Sequence, residues 1–342
     1  MPNNEGKLEY HEKRKESVLE FILAQKRGFS TYWLELLVCL LSLSLSVYHI
    51  FVAYAGSLEA HAFRSTHVAF VMTLCFLLRP LGRKKWTDPK NAWFLVDMIL
   101  VLLTVGVQVY TLWDLDAFIF RRGDLVEFDL WAGTIMIILL LEATRRAVGW
   151  AMVIILLFFL VQTSFSDYFF SIFYGPPSSW FNIIDYIFMR ENGIYSIPLM
   201  VMATYIFLFI LFGAILVRSG AGRFFINVAL ALTGSKVGGP AKASVVASCL
   251  MASVSGSAVA NVVTTGSFTI PLMKRIGYRD YFAGAVEACA SSGGQIMPPV
   301  MGAAAFIIAE FLNIPYMKVA VAGLIPALIY FFSIFVMVHF EA

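Results

Sequence analysis

Charge is scarce in this sequence. Only 14% of its 342 residues are Asp, Glu, Lys or Arg, where soluble domains carry about 25%, so neither a soluble globular chain nor a charge-rich disordered one fits. Cysteine is scarce as well: Cys39, Cys75, Cys249 and Cys289 stand singly in apolar stretches, with no CxxC spacing and no histidine pairing. That excludes a disulfide scaffold and argues against a zinc or redox centre, leaving the four as packing residues. The five histidines, His11, His49, His61, His67 and His339, all lie outside 197–338. A net charge of +3 gives no case for nucleic-acid binding. The alternation of apolar and polar residues that marks a membrane β-barrel is missing too.

What is there is apolar bulk: 60% hydrophobic residues and a mean hydropathy of +0.79. These values describe an all-α, polytopic helical membrane protein. The first thirty residues mix Glu12, Lys13, Arg14, Lys15 and Glu16 with Lys26 and Arg27, and lack an apolar core followed by a small-residue cleavage site. Residues 1–30 are therefore expected to be a cytoplasmic lead-in, either a basic anchor at the inner leaflet or a partner-binding segment.

Apolar runs at 32–55, 67–79, 93–113, 131–146, 148–170 and 197–217 approach the ~20 residues that ~30 Å of hydrocarbon requires. The second and fourth are short. With the N-terminus in the cytoplasm, every inside turn is basic: Lys26 and Arg27, then Arg79, Arg83, Lys84 and Lys85, then Arg145 and Arg146, then Arg218 and Arg223. The outside turns hold Glu59 and Arg64, and then Arg121 and Arg122 outnumbered by Asp114, Asp116, Asp124, Glu127 and Asp129. Between the fifth and sixth runs, 171–196 carries Pro176, Pro177, Trp180, Tyr186, Arg190 and Asn192. With Phe181, Ile184 and Phe188 on one face, it is expected to lie as a helix in the outer interface, as an anchor or as a docking surface.

From residue 221 Gly, Ala, Ser and Thr replace Leu and Phe. The stretch that follows begins at Lys236 and Lys242 and ends at Lys274, Arg275 and Arg279, so both ends favour the cytoplasm. A single crossing cannot satisfy that. Arms of roughly 15 residues reach about 22 Å, which predicts a re-entrant hairpin with its tip at Ser255, Gly256, Ser257, Ala258, Val259, Ala260 and Asn261. Unwound backbone at that depth survives only when buried in protein or lining a wet cavity. Ser253, Ser255 and Ser257 can also serve close helix packing, but Asn261, Thr264 and Thr265 add oxygen ligands that packing does not need.

The next run, 281–311, is interrupted at 291–299 by Ser291, Ser292, Gly293, Gly294, Gln295, Ile296, Met297, Pro298 and Pro299. Paired glycines and prolines break a helix, and a discontinuous transmembrane helix places carbonyls and amides at mid-depth, where a cation and an anion can sit side by side. Glu287 and Gln295 flank the break. Glu287 reads either as a proton or cation site or as a packing carboxylate bonded to a hairpin side chain. Asn313 and Pro315 mark an outside turn, and 317–340 returns to the cytoplasm.

The segments GGPAKASVVASCLMASVSGSAVANVVTTGSFTIPLMKRIGY and ASSGGQIMPPVMGAAAFIIAEFLNIPY resemble the large-permease (DctM-like) motif of tripartite ATP-independent periplasmic (TRAP) transporters. LLLEATRRAVGW resembles the junction of their fused permeases. The likeness covers most of the chain, is strongest over 197–342, and is greatest to the fused type that works with TAXI-type binding proteins. It implies a sodium-driven secondary transporter (a symporter) in the bacterial inner membrane, importing an organic acid handed over by a periplasmic substrate-binding protein. Residues 31–148 would be a four-helix, small-permease (DctQ-like) region and 149–342 the N-terminal half of the large permease. Carried over by position, Ser255, Gly256, Ser257, Asn261, Gly293 and Gly294 would bind sodium. Ser257, Asn261, Thr264, Thr265, Gln295, Pro298 and Pro299 would meet substrate. No cofactor and no metal beyond Na⁺ is implied. Large permeases carry a second, inverted copy of hairpin and break. None is seen before Ala342, so the chain reads as the first half of an inverted-repeat transporter, C-terminally incomplete, whose partner half is on the same or another chain.

Two other classes are open. A non-transporting structural or regulatory membrane subunit, or an inactive truncated permease, would share these features. An intramembrane serine hydrolase needs a base beside the Ser-Gly-Ser tip, which the placement of the histidines does not offer, so an enzyme is not expected.

Overall fold

The computed structural model describes residues 29–56, 59–82 and 93–342, and among them every regular element is helical. The lead-in expected over 1–30 lies outside the described residues up to position 28, as do Arg83, Lys84 and Lys85. Among the described residues five helices are long and apolar enough to cross a bilayer: Trp33–Ala55, Ala60–Leu78, Trp93–Trp113, Ile197–Arg218 and Tyr316–Glu341. Their apolar side chains point outward as much as inward. Leu102 is 70% exposed and Val321 65%, the exposure expected of surfaces solvated by lipid.

One compact unit comprises 1–48 and 65–190. Its described elements are most of α1 (Phe29–Ala55) and α2 (Ala60–Leu78), then α3 (Trp93–Trp113), the short α4 (Leu115–Phe120), α5 (Glu127–Ala147), α6 (Trp150–Ser164) and α7 (Trp180–Ile184), which continues as a π turn over Asp185–Met189. Leu34, Val38 and Leu77 form one apolar core with Phe94, Met98 and Val101. The fifth expected span is shorter than 148–170, because α6 ends at Ser164 and 3₁₀ turns follow. At 15 residues α6 reaches only about 22 Å. Within the stretch expected to lie as an interface helix, Trp180–Met189 is helical, and the π turn broadens its buried face: Ile183, Ile184, Phe188 and Met189 are all buried. Ile184 rests on Gly133 of α5, where an added Cβ would lie 2.5 Å from its Cγ2.

The other unit comprises 49–64 and 191–342. Its elements are α8 (Ile197–Arg218), α9 (Ala221–Thr233), α10 (Gly239–Ser255), α11 (Ala258–Arg275), α12 (Asp280–Ser292), α13 (Ala303–Phe311) and α14 (Tyr316–Glu341). Helix α8 is built of joined segments, with a π turn at Met202–Ile206 between α-helical pieces. Arg64, expected in an outside turn, is instead inside α2 and buried. It donates to the Tyr195 carbonyl at 2.7 Å and pairs with Glu191 at 3.0 Å, so its charge is balanced by a carboxylate. That is why α2 extends seven residues ahead of the apolar run that signalled it.

Candidate functional site

Helices α10 and α11 are packed side by side, with a tight reversal between them. Pro240 opens α10, where its missing N–H costs nothing. Gly256 closes it in the left-handed region at φ 61°, its N–H bonded to the Ala252 carbonyl at 3.0 Å. Ser257 then caps α11, its hydroxyl accepting the Ala260 N–H at 3.3 Å. The two arms have 17 and 18 residues, about 26 Å each, longer than the sequence suggested.

The break forms where the glycines and prolines stand. Helix α12 tightens into a 3₁₀ turn at Gly293–Gln295, and no helix resumes until Ala303. The break folds back against the hairpin tip. The Val300 N–H donates to the Ser253 carbonyl at 3.2 Å. A Cβ on Gly256 would strike the Met301 carbonyl oxygen, and one on Gly294 would strike Ala252. Glycine at both positions is what lets two stretches of backbone meet. Gly302 closes the loop with an N–H bond to the Gln295 carbonyl at 2.8 Å, and the Tyr316 hydroxyl reaches the Pro299 and Val300 carbonyls at 2.8 and 2.7 Å.

The expected residues therefore fall into two groups. Ser255, Gly256 and Ser257 lie at the tip and Gly293, Gly294, Pro298 and Pro299 in the break; the two stretches meet where Gly256 faces Val300 and Met301 and Gly294 faces Ala252, while Gly293 packs on Tyr330 and Phe331 of α14. Gln295 lies on the same loop with an exposed side chain. Asn261, Thr264 and Thr265 are not at the tip surface. Asn261 is fully buried and ties the arms together, its Nδ2 donating to the Ser248 carbonyl at 3.0 Å. Thr264 bonds back to the Ala260 carbonyl at 2.8 Å and sets its methyl against Gly222.

Thr265 belongs to a cluster that the tip motif did not reveal. Glu287 on α12 is completely buried between the hairpin arms. Its Oε2 accepts from Ser244 and from Thr269, each at 2.6 Å. Its Oε1 accepts from Ser248 at 3.0 Å, from Ser291 at 3.2 Å and from Thr265. Five hydroxyls from three helices thus converge on one carboxyl. The legible signal was spacing: Ser244 and Ser248, Thr265 and Thr269, and Glu287 and Ser291 are each four apart, one helical face apiece.

Long apolar helices beside a polar hairpin and a broken helix make a polytopic membrane protein of the permease kind. Similarity to known proteins then gives the family: residues 135–342 match the Tripartite ATP-independent periplasmic transporter, DctM component, and the chain belongs to that family. It is a family of transport proteins, which sets the hydrolase reading aside. Over 147 residues the chain is 31% identical to the isethionate TRAP transporter permease protein DctMQ of Oleidesulfovibrio alaskensis, covering 43% of this chain and 22% of that one. It is 32% identical over 134 residues to the C4-dicarboxylate TRAP transporter large permease protein DctM of Pseudomonas aeruginosa, covering 39% and 31%. With the sialic acid TRAP transporter permease protein SiaT of Haemophilus influenzae it shares 28% identity over 179 residues, 52% of this chain and 28% of that one. The chain spans less than a third of the length of each of these relatives.

Proposed function

We propose that this chain is the permease portion of a sodium-coupled TRAP importer in the bacterial inner membrane, taking an organic acid from a periplasmic binding protein of the TAXI type. The observation that carries the reading is the junction of hairpin tip and helix break, where Gly256 meets Val300 and Met301, Gly294 meets Ala252 and the Val300 N–H bonds the Ser253 carbonyl. Na⁺ favours hard oxygen ligands, and the chain's own hydroxyls and loop carbonyls are of that kind. Among the described residues no three His, Cys, Asp or Glu side chains converge as a transition-metal site would require. In this reading α10 and α11 form a re-entrant hairpin entered from the cytoplasm, and Asn261, Thr264 and Thr265 hold the tip in shape. Gln295, Pro298 and Pro299 face substrate. Residues 31–148 act as the small-permease region and 149–342 as the first half of the large one. A second hairpin and break, on this or another polypeptide, completes the enclosure.

The isethionate, C4-dicarboxylate and sialic acid named for the relatives support an acidic substrate. One charge crossing ~100 mV supplies about 2.3 kcal/mol, roughly forty-fold accumulation per ion. The test is uptake of radiolabelled organic acids into proteoliposomes that hold this chain, the polypeptide supplying the second hairpin, and the binding protein. Uptake should require both sodium and the binding protein, and Ser257→Ala should weaken the sodium dependence at least several-fold. Uptake indifferent to sodium in the unmodified protein would sink the proposal.

A further inference from the structure

We infer that Glu287 is a proton-binding site built into the hairpin, and that its protonation is felt at the tip through Thr265 and Asn261. The carboxyl is 0% exposed, and every polar contact recorded for it is a hydroxyl. The charged and titratable groups on the elements packed around it are engaged elsewhere or lie out of reach. On α10, Lys242 is bonded to His339 of α14 at 2.9 Å. At the end of α11, Lys274 pairs with Asp280 at 3.0 Å, and Arg275 is exposed. Cys249, Cys289, Tyr278, Tyr330 and Glu341 make no hydrogen bond to Glu287, and the Tyr330 hydroxyl donates to the Cys289 carbonyl. Among the described residues no Lys, Arg or His lies within ion-pair distance of this carboxyl.

A buried carboxyl without a counter-charge is stabilised by binding either a proton or a cation. The hydrogen-bond count separates the two. A carboxylate offers about four lone-pair sites, and five hydroxyls already point at this one. A metal ion would have to turn several of these hydroxyls away from the carboxylate at once. A proton, by contrast, needs only an acceptor, and the cluster supplies one without moving a heavy atom. Each hydroxyl has a single hydrogen, and the Thr265 and Thr269 oxygens each have a second acceptor in reach. These are the Asn261 carbonyl at 2.8 Å and the Thr265 carbonyl at 3.0 Å. When Glu287 is ionised, the threonines donate to it. When it takes a proton, that O–H donates to a threonine oxygen and the threonine hydrogen swings to the carbonyl one turn back. Both states are satisfied.

The connection to the tip is short. Thr265 contacts Asn261 through its carbonyl and, at 3.5 Å, through Oδ1. Asn261 bridges to Ser248, and its own N–H bonds the carbonyl of Ser257 at 3.0 Å. The proton site needs no assumption about transport, whereas its influence on the tip rests on the proposed site there.

Infrared spectroscopy of the purified chain in lipid nanodiscs, titrated with pH in H₂O and in D₂O, tests the inference. A deuterium-sensitive carboxylic C=O band should titrate, vanish in Glu287→Gln and move in frequency in Glu287→Asp. Thr269→Val, which removes one donor to the ionised form, should raise proton affinity about tenfold while keeping the band. Absence of any titrating band that these variants alter would overturn the inference. So would a band that responds to added sodium at fixed pH but not to pH, which would make this a cation site. Because no uptake is measured, failure here is distinct from failure of the proposed transport function.

Discussion

Asp97 and Glu287 are both completely buried carboxyls, one in each compact unit, and their surroundings are opposites. Asp97 lies 2.6 Å from Arg146, whose guanidinium also binds Glu142 at 2.6 Å and stacks over Phe76. The same unit repeats the pattern. Asp129 takes Arg121 at 2.9 Å with the Tyr110 hydroxyl at 2.7 Å, and Asp185 takes Arg190 at 2.6 Å with the Gly123 N–H at 2.8 Å. Glu287 has hydroxyls alone. A buried ion pair holds one arrangement, since removing either partner strands a charge. Hydroxyls are neutral and rotate, so a carboxyl among them can change protonation without stranding anything. Asp97, Asp129 and Asp185 are chemically suited to a fixed frame and Glu287 to a changing state.

Substitutions break or sharpen that contrast, and stability in denaturant titrations of the chain in micelles reads them out. The largest loss should come from Arg146→Met, which removes a buried guanidinium bonded to both Asp97 and Glu142; Arg145 stays on Glu142. About 3–5 kcal/mol is expected, and a loss under ~1 kcal/mol would show that the pairs do not hold this unit. Gly256→Ala should cost about 2 kcal/mol or more, because φ 61° penalises a Cβ and the Met301 carbonyl stands in its way. A neutral result there would separate the break from the tip. The smallest effect should be that of Glu287→Gln, under ~1 kcal/mol, since the amide keeps an oxygen for the hydroxyls and no buried cation loses its partner. A loss as large as that of Arg146→Met would mean that the carboxylate charge is itself a structural element, and the contrast between the units would fail.

Hydropathy made legible the helices whose apolar residues far outweigh their polar ones: the run at 93–113 is α3 residue for residue. It failed where polarity is paired inside the fold. His61, Arg64, Ser65 and His67 lower the hydropathy of α2, yet all four are buried, and the partners that make this tolerable, such as Glu191 and the Tyr195 carbonyl for Arg64, are more than a hundred residues away in sequence. The tip and the break were legible because glycine and proline act locally. The inward turn of Asn261 was not, since it depends on the Ser248 carbonyl of the opposite arm. For Ser244, Ser248 and Thr269 the sequence offers a four-residue spacing and no more, because small hydroxyls in a membrane helix usually mean close packing. Their convergence on one carboxyl is what the spacing alone does not give.

The re-entrant course of α10 and α11 underlies the proposed site, and sided labelling tests it most directly, because arms of about 26 Å come close to the length of a full crossing. Single cysteines replace Lys236, Lys274 or Asn313, all exposed, in a background without Cys39, Cys75, Cys249 and Cys289. Each is treated in oriented membranes with a thiol reagent that cannot permeate. Positions 236 and 274 should label from the cytoplasmic side only, and 313 from the outside only. Labelling of 236 and 274 from opposite faces would contradict the hairpin and remove the mid-membrane junction on which the transport proposal stands.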